Sequence, residues 1–191
     1  MTKVYFIRHA EPDFTVHDDQ SRPLTEKGQS DALHVLEFFS NVKVNAFYSS
    51  PYARSISTIL PAAKDKGKEI TKVPDFRERA VADTWIDDFN AFAVKQWTDF
   101  DYKLKGGESL NETKNRNTSA LKALLKRHDG ETIAVGSHGT AISTIIHSYD
   151  PAFGYDDFRA IQSVMPFIVL FTYEKDQFVN YEFVYPNGKK A

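Results

Sequence analysis

Apolar residues in this chain arrive in short bursts separated by stretches of helical spacing. Val4, Tyr5, Phe6 and Ile7 form an unbroken run of β-forming side chains, the pattern of a central strand covered on both faces. Val44 to Tyr48, Ile70 to Val73 and Thr132 to Gly136 predict further strands. Phe167 to Tyr173 and Phe178 to Tyr185 predict two more, joined by the turn-like Glu174-Lys175-Asp176-Gln177. Between these runs the period changes. Thr25 is placed to cap a helix carrying Ala32, Leu33, Leu36 and Phe39. Ser50 as N-cap and Pro51 as first helical residue predict a helix that carries Arg54 and Thr58 to about Lys66. A long helix is expected from about Ser109 to Arg127, with Leu121, Leu124 and Leu125 facing the core, and another from Gly139 to about Ser148. Strands alternating with helices predict one α/β domain over residues 1–191 with a mostly parallel sheet. Residues 83–105 differ in character. There Trp85, Phe89, Phe92, Trp97, Phe100 and Tyr102 are interleaved with aspartates, which predicts a small helical insertion with an aromatic core.

Bulk properties narrow the function classes. A formal charge of −2 argues against nucleic-acid binding driven by a basic surface, yet leaves room for a local cationic cluster that holds a small anion. With no cysteine in the chain, disulfides, thiolate metal sites and cysteine nucleophiles are excluded. The apolar run before Arg8 is too short for a signal peptide. The longest apolar run, Val164 to Phe171, contains Pro166 and is about half the ~20 residues a membrane helix needs. These features predict a cytoplasmic protein without nucleic-acid or membrane partners. His17-Asp18-Asp19 has no partner at ligand spacing, so no metal site is expected.

Candidate chemistry sits directly after the predicted strands. Arg8-His9, Ser49 through Arg54 and Ser137-His138 each follow one. In open α/β sheets, ligands bind outside the carboxyl ends of the strands, so these segments can converge. If they do, two arginines, two histidines and helix N-termini would meet. That combination suits a tetrahedral oxyanion, because guanidinium offers forked donors and helix ends add backbone N–H groups.

Five segments then occur in a characteristic order: Arg8-His9-Ala10-Glu11, Arg22 through Gly28, Ser49-Ser50-Pro51-Tyr52-Ala53-Arg54, Gly106-Gly107-Glu108-Ser109 and Ser137-His138-Gly139. Together they resemble the histidine phosphatase superfamily, the phosphoglycerate mutase-like proteins. The resemblance implies a three-layer α/β sandwich, its mostly parallel central sheet covered by helices on both faces. It also implies phosphoryl transfer to small-molecule phosphate esters through a phosphohistidine, with no cofactor. Carried over, His9 is the nucleophile, Arg8, Arg54, His138 and Gly139 bind the phosphoryl group, and Glu78 is the proton donor, with His138 also counted as catalytic. Glu11, Thr15 and Arg22 are candidate substrate contacts. Elementary chemistry agrees: imidazole attacks phosphorus only when neutral, and neighbouring arginines disfavour its protonated form.

Three positions depart from the family pattern. Ala10 replaces the usual glycine, and Thr15 stands where many relatives carry asparagine. Ala82-Asp83-Thr84-Trp85 replaces a glycine-bearing segment after Glu78, which makes Asp83 an alternative donor. Hydrolysis is expected over mutase-type transfer because mutases of this family are generally longer. A non-catalytic phosphate-binding protein is the other alternative. Any of the insertion's aromatic side chains that faced the crevice would favour a bulky or apolar leaving group.

Overall fold

The computed structural model describes residues 1–184. Its six strands, β1 (Thr2–Arg8), β2 (Ala46–Ser49), β3 (Ile70–Lys72), β4 (Thr132–Ser137), β5 (Ile168–Glu174) and β6 (Gln177–Val184), lie side by side in the order β3-β2-β4-β1-β5-β6. β3, β2, β4 and β1 pair in parallel, and β5 runs antiparallel to both β1 and β6. Tyr185, expected at the end of the last strand, lies outside the described residues.

Alternation along β1 explains the layering. Val4 and Phe6 face one core, shared with Leu121, Leu124 and Leu125 of α4 (Leu110–Arg127) and with Ile142, Ile145 and Ile146 of α5 (Gly139–Tyr149). Tyr5 and Ile7 face the other. There they meet Val35 and Phe39 of α1 (Glu26–Ser40) and Ile59, Ala62 and Ala63 of α2 (Ala53–Asp65). The result is a three-layer α/β sandwich with a mostly parallel sheet and helices on both faces.

Local signals worked unevenly. Thr25 caps α1 as expected, its Oγ1 accepting from Gly28 N–H at 3.0 Å, and Ser109 forms a full capping box with Glu112. The α1 stripe, however, is Ala32, Val35 and Phe39, while Leu33 is exposed. Ser50 and Pro51 do not open α2, which begins at Ala53 with Tyr52 at the N-cap position. The hydroxyl of Ser50 accepts from Tyr52 N–H at 3.2 Å ahead of the helix and has a second partner, described below.

In the 83–105 segment only α3 (Phe89–Thr98) is helical. Its aromatic side chains divide: Phe92 is buried and Trp97 stacks on Phe158, whereas Trp85 and Phe89 line an open crevice. One helix was not anticipated. α6 (Tyr155–Gln162) carries Phe158 and Ile161 into the core, and Asp157 closes its first turn by accepting from Gly154 N–H at 2.9 Å.

Candidate active site

Strand register assembles the site. Arg8 at the end of β1 pairs with Ser137 at the end of β4, and Gly136 of β4 pairs with Ser49 at the end of β2. Parallel strands ending at one level deliver Arg8-His9, Ser49-Ser50 and Ser137-His138 to one edge of the sheet. The rings of His9 and His138 lie 5.2 Å apart, and Tyr52 packs 5.1 Å from His138 on the other side.

His9 is 7% exposed, and its Nδ1 lies 2.8 Å from the carbonyl oxygen of Ala10. A carbonyl only accepts, so a neutral His9 carries its proton on Nδ1 and keeps the lone pair on Nε2. Burial is the largest cause holding this imidazole well below the usual histidine range, ahead of the Arg54 and Arg8 charges, with the Ala10 carbonyl opposing. The ordering refines the expectation from sequence, in which the arginines were the cause. Ala10, fully buried, donates its N–H to Thr58 Oγ1, which in turn donates to the Arg54 carbonyl. The segment behind His9 is thereby tied to α2.

Arg8 is held by a helix the sequence reading did not find. Its Nη1 donates to the carbonyls of Ile161, Gln162 and Val164 at the C-terminal end of α6, where a helix collects negative partial charge. Burial lowers this guanidinium to about 10, still protonated at neutral pH. Its Nε is buried without a hydrogen-bond partner, as is Nδ1 of His138. His138 itself is fully buried behind the crevice wall, with Nε2 2.8 Å from the Ser50 hydroxyl. Gly139, the first residue of α5, lies close to Arg8: an added Cβ would stand 3.2 Å from Nε.

Arg54 is 3% exposed and held by Asp19, through Nη2 to Oδ1 at 3.1 Å and Nη1 to the backbone carbonyl. Arg22 shares that carboxylate at 2.9 Å and donates to the carbonyls of Val16 and His17, so it knits the 13–22 loop together. Asp19 therefore occupies the anion position between two arginines, a role not legible in His17-Asp18-Asp19.

Glu78 lines the same crevice. Its Oε1 accepts from Arg79 N–H at 2.9 Å and its Oε2 from Thr140 N–H at 3.0 Å. The strand-end loop bearing it is gripped from below. Glu108 accepts from Arg77, Ala80 and Arg116, while Arg116 donates to the carbonyls of Asp75, Arg77 and Glu78. Arg79, almost fully buried, donates to Gln96 and Thr140 and lies over Phe89 and Phe92. Arg116 and Arg79 carry no local signal in the sequence.

Three sequence candidates sit apart from the crevice lining: His138, buried behind it, and Thr15 and Glu11. Thr15 is exposed and bonds Asp13, and the Glu11 carboxylate accepts from the Thr25 hydroxyl at the start of α1. Arg8, His9, Arg22, Arg54, Glu78, Gly139 and the alternative donor Asp83 all line it. Among the described residues, no group of three or more histidine, aspartate or glutamate side chains is arranged to hold a metal ion. No described helix is long and apolar enough to cross a membrane.

The two site histidines make stability depend on pH in a defined direction. His138, like His9, is held well below the usual range, first by burial and then by Arg54, His9, Arg116 and Arg8. Unfolded histidine titrates near ~6.5. Above that value both states are neutral and contribute no slope. As pH falls from about 6.5 toward the depressed folded values, the unfolded chain binds protons that the folded chain refuses. Stability is then lost by about 1.4 kcal/mol per pH unit for each histidine. Thermal melts of wild type and His9→Gln between about pH 7.5 and 5.5 test this: the variant should lose less on acidification. Equal losses would refute it.

A shared pattern of similarity accompanies this geometry. The family profile of the histidine phosphatase superfamily, branch 1, matches residues 4–183. Phosphoserine phosphatase 1 of Hydrogenobacter thermophilus is 28% identical over 155 residues, spanning 72% of this chain and 71% of the relative. A probable phosphoglycerate mutase of Serratia proteamaculans is 26% identical, over 76% of this chain and 74% of its own. The crystal structure of the phosphoserine phosphatase of Entamoeba histolytica with 3-phosphoglyceric acid superposes with a TM-score of 0.77 at 24% identity, covering 96% of both chains. With nearly its whole length matched by the family profile, the chain belongs to the histidine phosphatase superfamily.

Proposed function

We propose that the protein is a metal-independent phosphatase that hydrolyses small-molecule phosphate monoesters through a phosphohistidine on His9. The observation that carries this reading is the state of His9. It is buried beside Arg8 and Arg54, with Nδ1 tied to the Ala10 carbonyl and Nε2 left as the nucleophilic nitrogen. Beside it the Nε of Arg8, a residue on the crevice lining, has no hydrogen-bond partner and can donate to an anion.

In the first step His9 Nε2 bonds to phosphorus as the ester P–O bond breaks, and the leaving alkoxide takes a proton from Glu78. In the second, water bonds to phosphorus, Glu78 takes the water proton, and the P–N bond breaks to restore neutral His9. Arg8 and Arg54 hold the equatorial oxygens, and their fixed charge stabilises the negative charge that spreads there in the transition state. The phosphate must displace the Asp19 carboxylate from Arg54. Residues 1–191 act as one domain in this scheme.

Rapid quench of the protein with a labelled monoester in the presence of EDTA tests the reading. The expected product is a phosphoprotein stable to base and labile to acid, formed at wild-type rate despite the chelator, with release of inorganic phosphate. Acid-stable label or loss of turnover in EDTA would overturn it. Exchange of label between monophosphoglycerates without phosphate release would identify a mutase.

A further inference from the structure

The crevice outward of His9 is unlike the cationic floor. It is a cavity of about 730 Å³, the size of a small-ligand pocket. Its outer walls are Phe14, Val81, Trp85, Ile86, Phe89 and Met165. Trp85 and Phe14 are 71% and 60% exposed, so two large aromatic faces stand in solvent at the mouth of a site that binds something.

The cationic side chains on the wall are engaged, two of them by a carboxylate and two by neutral acceptors. Arg22 and Arg54 share Asp19, Arg79 is bound to Gln96 and Thr140, and Arg8 is held by three carbonyls. His17 lies flat on the Trp85 indole, with ring centroids 5.4 Å apart and planes 19° from parallel. The acidic side chains on the lining are Asp19, Glu78 and Asp83. A carboxylate on the leaving group would therefore face apolar carbon and other carboxylates, and to reach a guanidinium it would have to displace Asp19 from Arg22 or compete with the phosphate for Arg8 and Arg54.

Resting on the phosphatase reading, we propose that the leaving group is an uncharged apolar or aromatic alcohol, seated between Trp85, Phe14 and Phe89, and not the carboxylated alcohol of phosphoserine or a phosphoglycerate. Trp85 and Phe14 are specificity-determining residues that touch this group. The ester phosphate sits on Arg8 and Arg54 for every substrate, so the discrimination lies in the leaving group alone.

The test compares 2-phenylethyl phosphate, glycerol 3-phosphate, phosphoserine and 3-phosphoglycerate, all esters of aliphatic alcohols with similar intrinsic reactivity. The phenylethyl ester should have a kcat/KM about tenfold or more above phosphoserine, an aromatic contact's worth of discrimination. Trp85→Ala should narrow that ratio through a higher KM for the phenylethyl ester, and Trp85→Phe should restore most of it. Trp85 is exposed, so folding is not at stake. Equal or faster turnover of phosphoserine or 3-phosphoglycerate, or a ratio untouched by Trp85→Ala, would overturn the substrate assignment and leave the phosphatase reading standing. Failure to turn over any of the four would sink both.

Discussion

Substituting alanine for His9 is expected to lower kcat on any phosphate monoester by roughly 10⁵-fold or more, the scale seen when a covalent nucleophile is deleted. The size follows from how little else in the site can replace it. His138 packs beside it, yet it is fully buried, lies behind the wall and has Nε2 engaged with Ser50, while His17 on the crevice lining is stacked on Trp85. The arginines carry no lone pair for phosphorus. The fold should survive, because His9 caps the end of β1 at the crevice and the Phe6 and Ile7 side chains that anchor the strand are untouched. Inorganic phosphate should still bind, since Arg8 and Arg54 keep their own supports in α6 and Asp19. Stopped assays with phosphate titration on the same preparation would separate the two properties. Turnover within about a hundredfold of wild type, below what deletion of a nucleophile allows, would exclude His9 as the covalent centre.

How much of this was readable before the structure follows from the range over which each signal acts. Arg8-His9, Arg54 and Ser137-His138 were legible because a reactive residue directly after an apolar run is a local pattern, and parallel register then brings the run ends together. Glu78 was found through resemblance alone; in sequence it is one charge in the run Arg77-Glu78-Arg79. The supports were not legible. Asp19 meets Arg54 across 35 residues, and Arg8 meets the α6 carbonyls across more than 150, so no periodicity records either contact. A signal for α6 did exist in Asp156 and Asp157 at its first turn and in Phe158 and Ile161 at i, i+3 spacing. At eight residues it falls below the length at which a period stands out. Ser50-Pro51 misled for a physical reason. The Ser-Pro pattern suits a helix start, and the Ser50 hydroxyl does accept from Tyr52 N–H at 3.2 Å, but it is also bonded to His138, and α2 starts only at Ala53.

Glu78→Gln is expected to reduce kcat on alkyl phosphates by about 10²- to 10⁴-fold, the range for loss of a general acid. The substitution keeps the side-chain volume but not the hydrogen bonds. Each carboxylate oxygen accepts one backbone N–H, from Arg79 and from Thr140, so the amide nitrogen of glutamine would face a second donor at one of them. The signature that separates proton transfer from this local misfit is the leaving group. 4-Nitrophenolate departs without a proton, so the first step on 4-nitrophenyl phosphate should be nearly spared, whereas the second step still needs a base for water. The variant should therefore release a burst of nitrophenol and then stall as phosphohistidine. Wild type, by contrast, should continue to turn over without stalling. Asp83, on the same crevice wall with its N–H held by the Lys105 carbonyl, offers the competing assignment. If Asp83→Asn shows the burst and Glu78→Gln does not, the proton belongs to Asp83. Absence of a burst, with the first step slowed as much on the nitrophenyl ester as on alkyl esters, would mean that Glu78 shapes the N-terminus of α5 without handling the proton.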